Sequence, residues 1–240
     1  MRLRFCLIPG LLGALAASGC GGDDGPGTTP GTDSPSAQTV DGYCNDATPD
    51  LIAAAGDPEM AVATVAEEPV AGSQCNAVIR TYPIESASHV PVCSAVTYGT
   101  NPPSSGHHYG LFPAFNTYEH AIPRGFWVHS LEHGGVVITY SCTECASEVA
   151  QADHLRRTQP IEAACCPGGD CEGATNRILL TPDPGIPTRW AASGWGFTLT
   201  ADCFEAEVFE SFASLYRGQG PEQICANTYA TDVSQPGPGL

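Results

Sequence analysis

The residues most able to do chemistry are histidines. Five of the seven, His107, His108, His120, His129 and His133, fall within 27 residues, and His89 lies a little upstream. A spacing of four places His129 and His133 on one face whether their segment is helix or strand. His107 and His108 follow a Pro-Pro-Ser-Ser-Gly run, the kind of irregular backbone that carries sites. Neutral imidazoles converging from a loop and a neighbouring strand suit Cu, Zn, Ni or Fe(II). The candidate metal ligands are therefore His108, His129 and His133, with His89 as a fourth. Copper or zinc is the expected ion, since imidazole ligands do not separate them. Three histidines and an open position would also suit a catalytic metal, with Glu132 as general base. The arrangement is not the metalloprotease motif, because Glu132 precedes the second histidine instead of following the first. A third reading leaves metal out: the histidines tie Pro-rich loops to strands through backbone carbonyls, in a structural or adhesion module.

Other chemistries find less support. Ser130 stands beside His129, but no Gly-x-Ser-x-Gly elbow surrounds it. Ser104 and Ser105 are loop residues without an identifiable base, and the Gly-rich stretches lack the strand–loop–helix context of phosphate binding. Ten cysteines lie beyond Cys20, and an even number in an exported chain reads first as disulfides. Cys142-x-x-Cys145 has the spacing of a redox pair or half a zinc site, yet no thioredoxin-like pattern surrounds it, so a structural disulfide is expected. Cys165 and Cys166 are expected to bond to different partners, because bridging adjacent residues strains the backbone.

Export itself is read from the N-terminus. Arg2 and Arg4 precede an apolar run from Phe5 to Ala17, too short to span a bilayer, and Ala17-Ser18-Gly19-Cys20 resembles the bacterial lipobox. Residues 1–19 are thus expected to be a signal peptide and Cys20 to be acylated, with the lipid bilayer as partner. Gly21 after the cysteine resembles the outer-membrane sorting pattern of Gram-negative envelopes. Residues 20–41 are Gly, Pro, Ser, Thr and Asp, a disordered tether reaching about 25 Å. One globular domain is expected over 42–230 and a flexible tail over 231–240. The formal charge is −17 without a single lysine, and loss of Arg2 and Arg4 with the signal deepens it by two. Such a surface repels nucleic acid and anionic headgroups and attracts cations.

The elements that must position the histidines are read from periodicity and caps. Thr48-Pro49 opens a short helix through Ala55. Strands are expected at Asn76–Tyr82, Val92–Tyr98, Phe126–Val128, Gly135–Tyr140, Arg177–Thr181 and Gly194–Thr200, with a loop from Thr100 to Phe115. Helical spacing marks Ala146–Arg157. A third helix is expected from Cys203 to Arg217, capped by Asp202 with Glu205 completing a capping box and Gly218 ending it. Phe204, Val208, Phe212, Leu215 and Tyr216 form its expected apolar stripe. Without a regular βαβ rhythm, the fold class is α+β: a mainly antiparallel sheet with a few flanking helices, stapled by disulfides.

Two segments carry a family resemblance. Tyr98-Gly-Thr-Asn-Pro-Pro-Ser-Ser-Gly-His-His108-Tyr and Val128-His-Ser-Leu-Glu-His-Gly-Gly-Val-Val-Ile-Thr-Tyr140 resemble the two central motifs of the bacterial "domain of unknown function 3105". Trp195-Gly and Arg217-Gly-Gln-Gly-Pro-Glu222 are similar to its later part, so the likeness runs from about His89 to Glu222. It implies that His108, His129, Glu132 and His133 are motif residues, as is His89 in His-Val-Pro-Val. His107 stands where the motif has Pro, and Ser104 where it has Thr. The resemblance implies residues and no activity.

Overall fold

The computed structural model describes residues 62–92 and 94–225. The expected signal peptide, acylated Cys20, tether, Thr48–Ala55 helix and C-terminal tail lie outside the described residues, as do Cys44 and Cys93. In chain order the elements are β1 (Ala66–Pro69), β2 (Val78–Thr81), β3 (His89–Val90), β4 (His108–Tyr109), α1 (Arg124–Glu132), β5 (Val136–Tyr140), α2 (Ala146–Thr158), β6 (Ile178–Pro182), β7 (Trp190–Gly194), β8 (Phe197–Ala201) and α3 (Ala206–Tyr216). Six strands form one sheet in the order β1-β2-β8-β7-β5-β6. Every pairing in it is antiparallel except β5 with β6. The fold is α+β, as the element pattern predicts.

The sheet separates two cores. On β5 and β6, Val137 and Leu179 point to one side, where they meet Phe126, Trp127, Val128 and Leu131 of α1. Val136, Ile138, Ile178 and Leu180 point to the other, against Trp190, Phe209 and Phe212 and the helices α2 and α3. Burial on both faces is why these strands read as continuous apolar runs and not as alternation.

Four local expectations are corrected. Phe126–Val128 is not a strand but part of α1, all nine residues of which are buried. A short run of aromatic and β-branched residues does not distinguish strand from buried helix, and here apolar packing on all sides selects the helix. Val92–Tyr98 is likewise not a strand. The strand falls earlier, at His89–Val90, and Pro91, with no N–H to offer, stops the ladder there. The segment around Gly194–Thr200 is the junction of two strands: β7 and β8 pair with Gly194 opposite Phe197 across a two-residue turn. Finally, Asp202 does not cap the last helix, which starts at Ala206 after Glu205. Asp202 instead accepts a bond from Asn76 Nδ2 at 2.8 Å, and the Glu205 carboxylate accepts from the Ser73 hydroxyl and from the Gln74 amide. The turn between β1 and β2 has recruited both acids. The helix's buried side is Phe209, Phe212 and Ala213, while Leu215 is 60% exposed.

Disulfides join Cys75 to Cys203, Cys142 to Cys145, Cys165 to Cys225 and Cys166 to Cys171. Cys165 and Cys166 thus have different partners, and the Cys142–Cys145 bridge closes the connection from β5 to α2. Four such bridges fit an extracytoplasmic domain. No helix among the described residues is long and apolar enough to cross a membrane.

The start of α1 is anchored by an ion pair. The buried Arg124 guanidinium donates from Nε to Asp183 Oδ2 at 2.9 Å and from Nη2 to Asp183 Oδ1 at 3.1 Å. This two-point bond fixes the helix, and with it His129, Glu132 and His133, against the end of β6.

Candidate metal centre

Two pieces of local structure bring the imidazoles together. The first is α1, whose period places His129, Glu132 and His133 on one face. The helix ends at His133, and Gly134 follows with φ +78°, a left-handed conformation that costs glycine nothing. Gly134 N donates to Leu131 O at 2.9 Å and Gly135 N to Ser130 O at 2.8 Å, the two bonds of a Schellman stop. The Gly134-Gly135 pair is therefore the turn into β5. The second piece is the small parallel ladder of β3 and β4, in which His89 pairs with His108 and Val90 with Tyr109. Parallel pairing puts the His89 and His108 side chains next to each other, with ring centroids 5.0 Å apart.

The ladder lies over the helix. The His129 ring is 4.6 Å from that of His89 and 4.9 Å from that of His108, centroid to centroid. Three ring nitrogens face one carboxylate oxygen: Glu132 Oε2 is 2.9 Å from His108 Nε2, 3.7 Å from His89 Nε2 and 3.8 Å from His129 Nε2. One donor atom from each of these four residues lies within 4.8 Å of all the others. His108, His129 and Glu132 are buried, while the His89 side chain is 53% exposed and forms the rim.

The protonation of His108 can be argued from its partners. Its Nδ1 is 2.9 Å from the carbonyl of Gly106, which can only accept, so Nδ1 carries the proton and donates. Nε2 faces Glu132 Oε2, an acceptor, at 2.9 Å. Two acceptors at that distance attract only through a positive charge between them, either a proton or a cation. The carbonyl bond is also how a metal-ligating histidine has its tautomer fixed by a group behind it.

Burial keeps the helix histidines neutral. It pushes the His129 imidazole down to about 3, helped by His133, His108 and His89 and opposed by the nearby Tyr109 backbone. Burial pushes His133 down to about 4, with Glu222 pulling it back and His108 and His89 adding to the depression. Neutral rings keep a lone pair for a Lewis acid. Aromatic walls enclose them. Phe112 meets the His133 ring edge-on at 4.4 Å and His129 at 5.3 Å, and Trp195 stands 6.3 Å from His108.

Of the candidate residues in the sequence, His89, His108, His129 and Glu132 thus meet in one group. His133 is in contact with His129, ring centroids 4.4 Å apart, but its Nε2 turns to Glu222 Oε2 at 3.2 Å. His107 and His120 are exposed and stand apart, as does His154 on α2, beside an open groove lined also by Ser147, Ala150 and Glu210. Ser105 Oγ accepts from the Glu85 amide and Ser104 shares a bond with Thr100, so both serines fasten the loop. Tyr109 belongs to the α1 core and Tyr140 packs on Trp190 across the sheet.

Glu222 lies within the Arg217–Glu222 run that carries the resemblance, but spacing assigns it no role, because it is far along the chain from the histidines. Its position depends on a strap. Gly218 N donates to Gly134 O at 2.8 Å and Glu222 N to Glu132 O at 3.0 Å, so the chain after α3 runs back along the end of α1. Gly220 makes this possible: a Cβ there would lie 2.2 Å from Glu132 O and 2.4 Å from Gly134 N. Arg177, also unmarked by any sequence pattern, holds both sides. Its Nη1 donates to His133 O at 3.1 Å and to Gln223 Oε1 at 2.7 Å, and its Nε and Nη2 bind Glu162.

A model of the family of proteins of unknown function DUF3105 matches residues 89–228, more than half of the chain. The chain belongs to the DUF3105 family. The span matched to DUF3105 opens on His89 and takes in α1, β5 to β8, α3 and the strap, hence each residue of the histidine–glutamate group. β1 and β2 precede it. No curated protein and no solved structure matches the chain.

Proposed function

We propose that this DUF3105 domain binds one divalent transition-metal ion, copper or zinc, through His89, His108, His129 and Glu132, and holds it for buffering or delivery at the cell envelope. The observation that carries the reading is the meeting of three imidazole Nε2 atoms on Glu132 Oε2, with the His108 ring oriented by the Gly106 carbonyl behind it. Three nitrogens and one carboxylate oxygen make a four-donor set of the kind zinc and copper take. In this reading Glu132 is a ligand and not a general base. Acylated Cys20 and the Gly/Pro-rich tether keep the domain at the membrane surface, where the acidic chain concentrates cations without binding nucleic acid.

The test is elemental analysis of the exported chain, purified without chelator or histidine tag. At least one equivalent of transition metal, reduced in His108→Ala with the fold retained, supports the reading. A metal-free protein whose melting temperature does not move in dilute Cu or Zn overturns it, because an ion binding only the native state must stabilise that state. Turnover of a substrate that needs both the metal and Glu132 would move the reading from binding to catalysis.

A further inference from the structure

Glu132 belongs to two groups of donors. Beyond the three histidines, it forms a second set with His133 and Glu222, again with one donor atom of each within 4.8 Å of the others. We infer that this second set is a cation position of its own, so that the domain holds two divalent ions bridged by the Glu132 carboxylate. The inference rests on the metal-binding reading above, since Glu132 serves both positions.

Three observations point to a cation there. The first is that two carboxylates are held close together. Glu132 is buried and Glu222 is drawn beside it, although like charges at this separation repel and the Glu222 side chain, 54% exposed, has solvent to escape into. A shared cation converts the repulsion into attraction. The second is that the backbone commits Glu222 to this place. The Glu222 N to Glu132 O bond and the close passage of Gly220 past the helix end fix where its side chain starts. A loose surface glutamate needs no such strap. The third is His133, only 2% exposed at the side chain, whose Nε2 is 3.2 Å from Glu222 Oε2 while its Nδ1 has no hydrogen-bond partner among the described residues. Among the described residues, the polar contact of its ring is with the group in question.

The donor sets differ in kind. His89, His108, His129 and Glu132 are nitrogen-rich and suit copper or zinc. Glu132, His133 and Glu222 are oxygen-rich and suit a harder ion such as manganese or Fe(II), while zinc accepts either set. A carboxylate has an oxygen for each of two ions, and a shared carboxylate holds two metals near the spacing of known two-metal sites, about 3.5–4 Å. The exposed residue of each set, His89 or Glu222, stands at the rim, so each position has its own way in.

The experiment is equilibrium dialysis of the full chain against Zn²⁺, which accepts both donor sets, with metal content read per chain. Two equivalents in the native chain falling to one in Glu222→Gln supports the bridged pair. The substitution keeps size and shape at a half-exposed position, so the fold is preserved. One equivalent in both proteins overturns the second position while leaving the histidine site intact. Two equivalents in both overturns the role of Glu222. No zinc in the native chain overturns the metal-binding reading and this inference with it. Cu²⁺ provides a check without mutation: paramagnetic resonance at one and then two equivalents shows spin coupling between bridged ions, and two uncoupled signals would overturn the bridge.

Discussion

His89 stands directly opposite His108 in the parallel pair of β3 and β4, and their rings lie 5.0 Å apart over the buried face of α1. A two-residue ladder does little for stability. Here it sets the separation of two imidazoles and the direction in which both look.

The two members of that pair should not contribute equally. His108 is buried and oriented by the Gly106 carbonyl, whereas His89 is half exposed and retains rotamer freedom. We expect His89→Ala to weaken zinc binding by roughly 10-fold and His108→Ala by at least about 100-fold, since loss of even a group that only orients a ligand costs about 10–100-fold. Competition against a chromophoric chelator measures both. Equal losses would show that burial and the Gly106 carbonyl do not preorganise His108.

Gly220 is the point where the strap touches the helix. Replacing it with alanine sets a methyl group against Glu132 O and Gly134 N, neither of which can move aside. Urea unfolding of Gly220→Ala should show a loss of about 1–3 kcal/mol, the range for overpacking at a closed site. The same change displaces Glu222. An unaltered midpoint would mean that the strap is not packed as described.

Glu148 gives a pH dependence whose sign can be worked out. Its carboxylate accepts from Arg189 at 2.8 Å, from Trp190 Nε1 at 2.6 Å and from the Phe204 amide at 3.3 Å. The bond from Arg189 leads in holding its pKa below the ordinary 4.5, against the opposing effect of burial. A folded pKa below the unfolded one means stability that is present above pH 4.5 and lost as the pH falls through the folded value. The melting temperature of the native chain should therefore fall more steeply below that pH than that of Glu148→Gln. Parallel curves would show that Glu148 plays no part in acid unfolding.

The bridges should differ in the way loop length dictates. Cys75–Cys203 spans 128 residues and Cys142–Cys145 spans 3. In the chain-entropy model the longer loop is worth roughly 5 kcal/mol and the shorter about 2. Denaturation of the paired alanine variants should rank them in that order. The reverse order would mark the short bridge as holding α2 in place by contact more than by entropy.

What the sequence reveals depends on how local each feature is. The Schellman stop at Gly134-Gly135 and the i, i+3, i+4 placement of His129, Glu132 and His133 follow from neighbours in the chain, so the residue set around α1 is legible even though Phe126–Val128 reads as a strand. The secondary structure of that run is decided by its burial in a core shared with residues distant in sequence, Tyr109 against Phe126 among them, which periodicity cannot register. His89 and His108 stand out as ligands by residue type, but nothing short of the ladder shows that they are neighbours. Glu222 and Arg177 are beyond reach for the same reason. One is brought in by a strap 90 residues downstream of Glu132, and the other acts through the carbonyl of His133 and not through a motif. Asp202 and Glu205 show the opposite error, in which a good local capping pattern loses to a turn from the start of the domain.

A helix enclosed on every side, as α1 is, has no face along which to fray. Its nine residues share the core, a two-point ion pair holds its start and a glycine strap closes its end. Backbone breathing is then a poor route for traffic, since opening this helix amounts to unfolding the domain. Under the proposed metal-binding reading, an ion would pass in or out by the turning of His89 or Glu222, the two half-exposed side chains at the edge of a buried group. Residence time would then be set by two side chains, so that substitution at the rim should change it while the stability of the protein stays where it was.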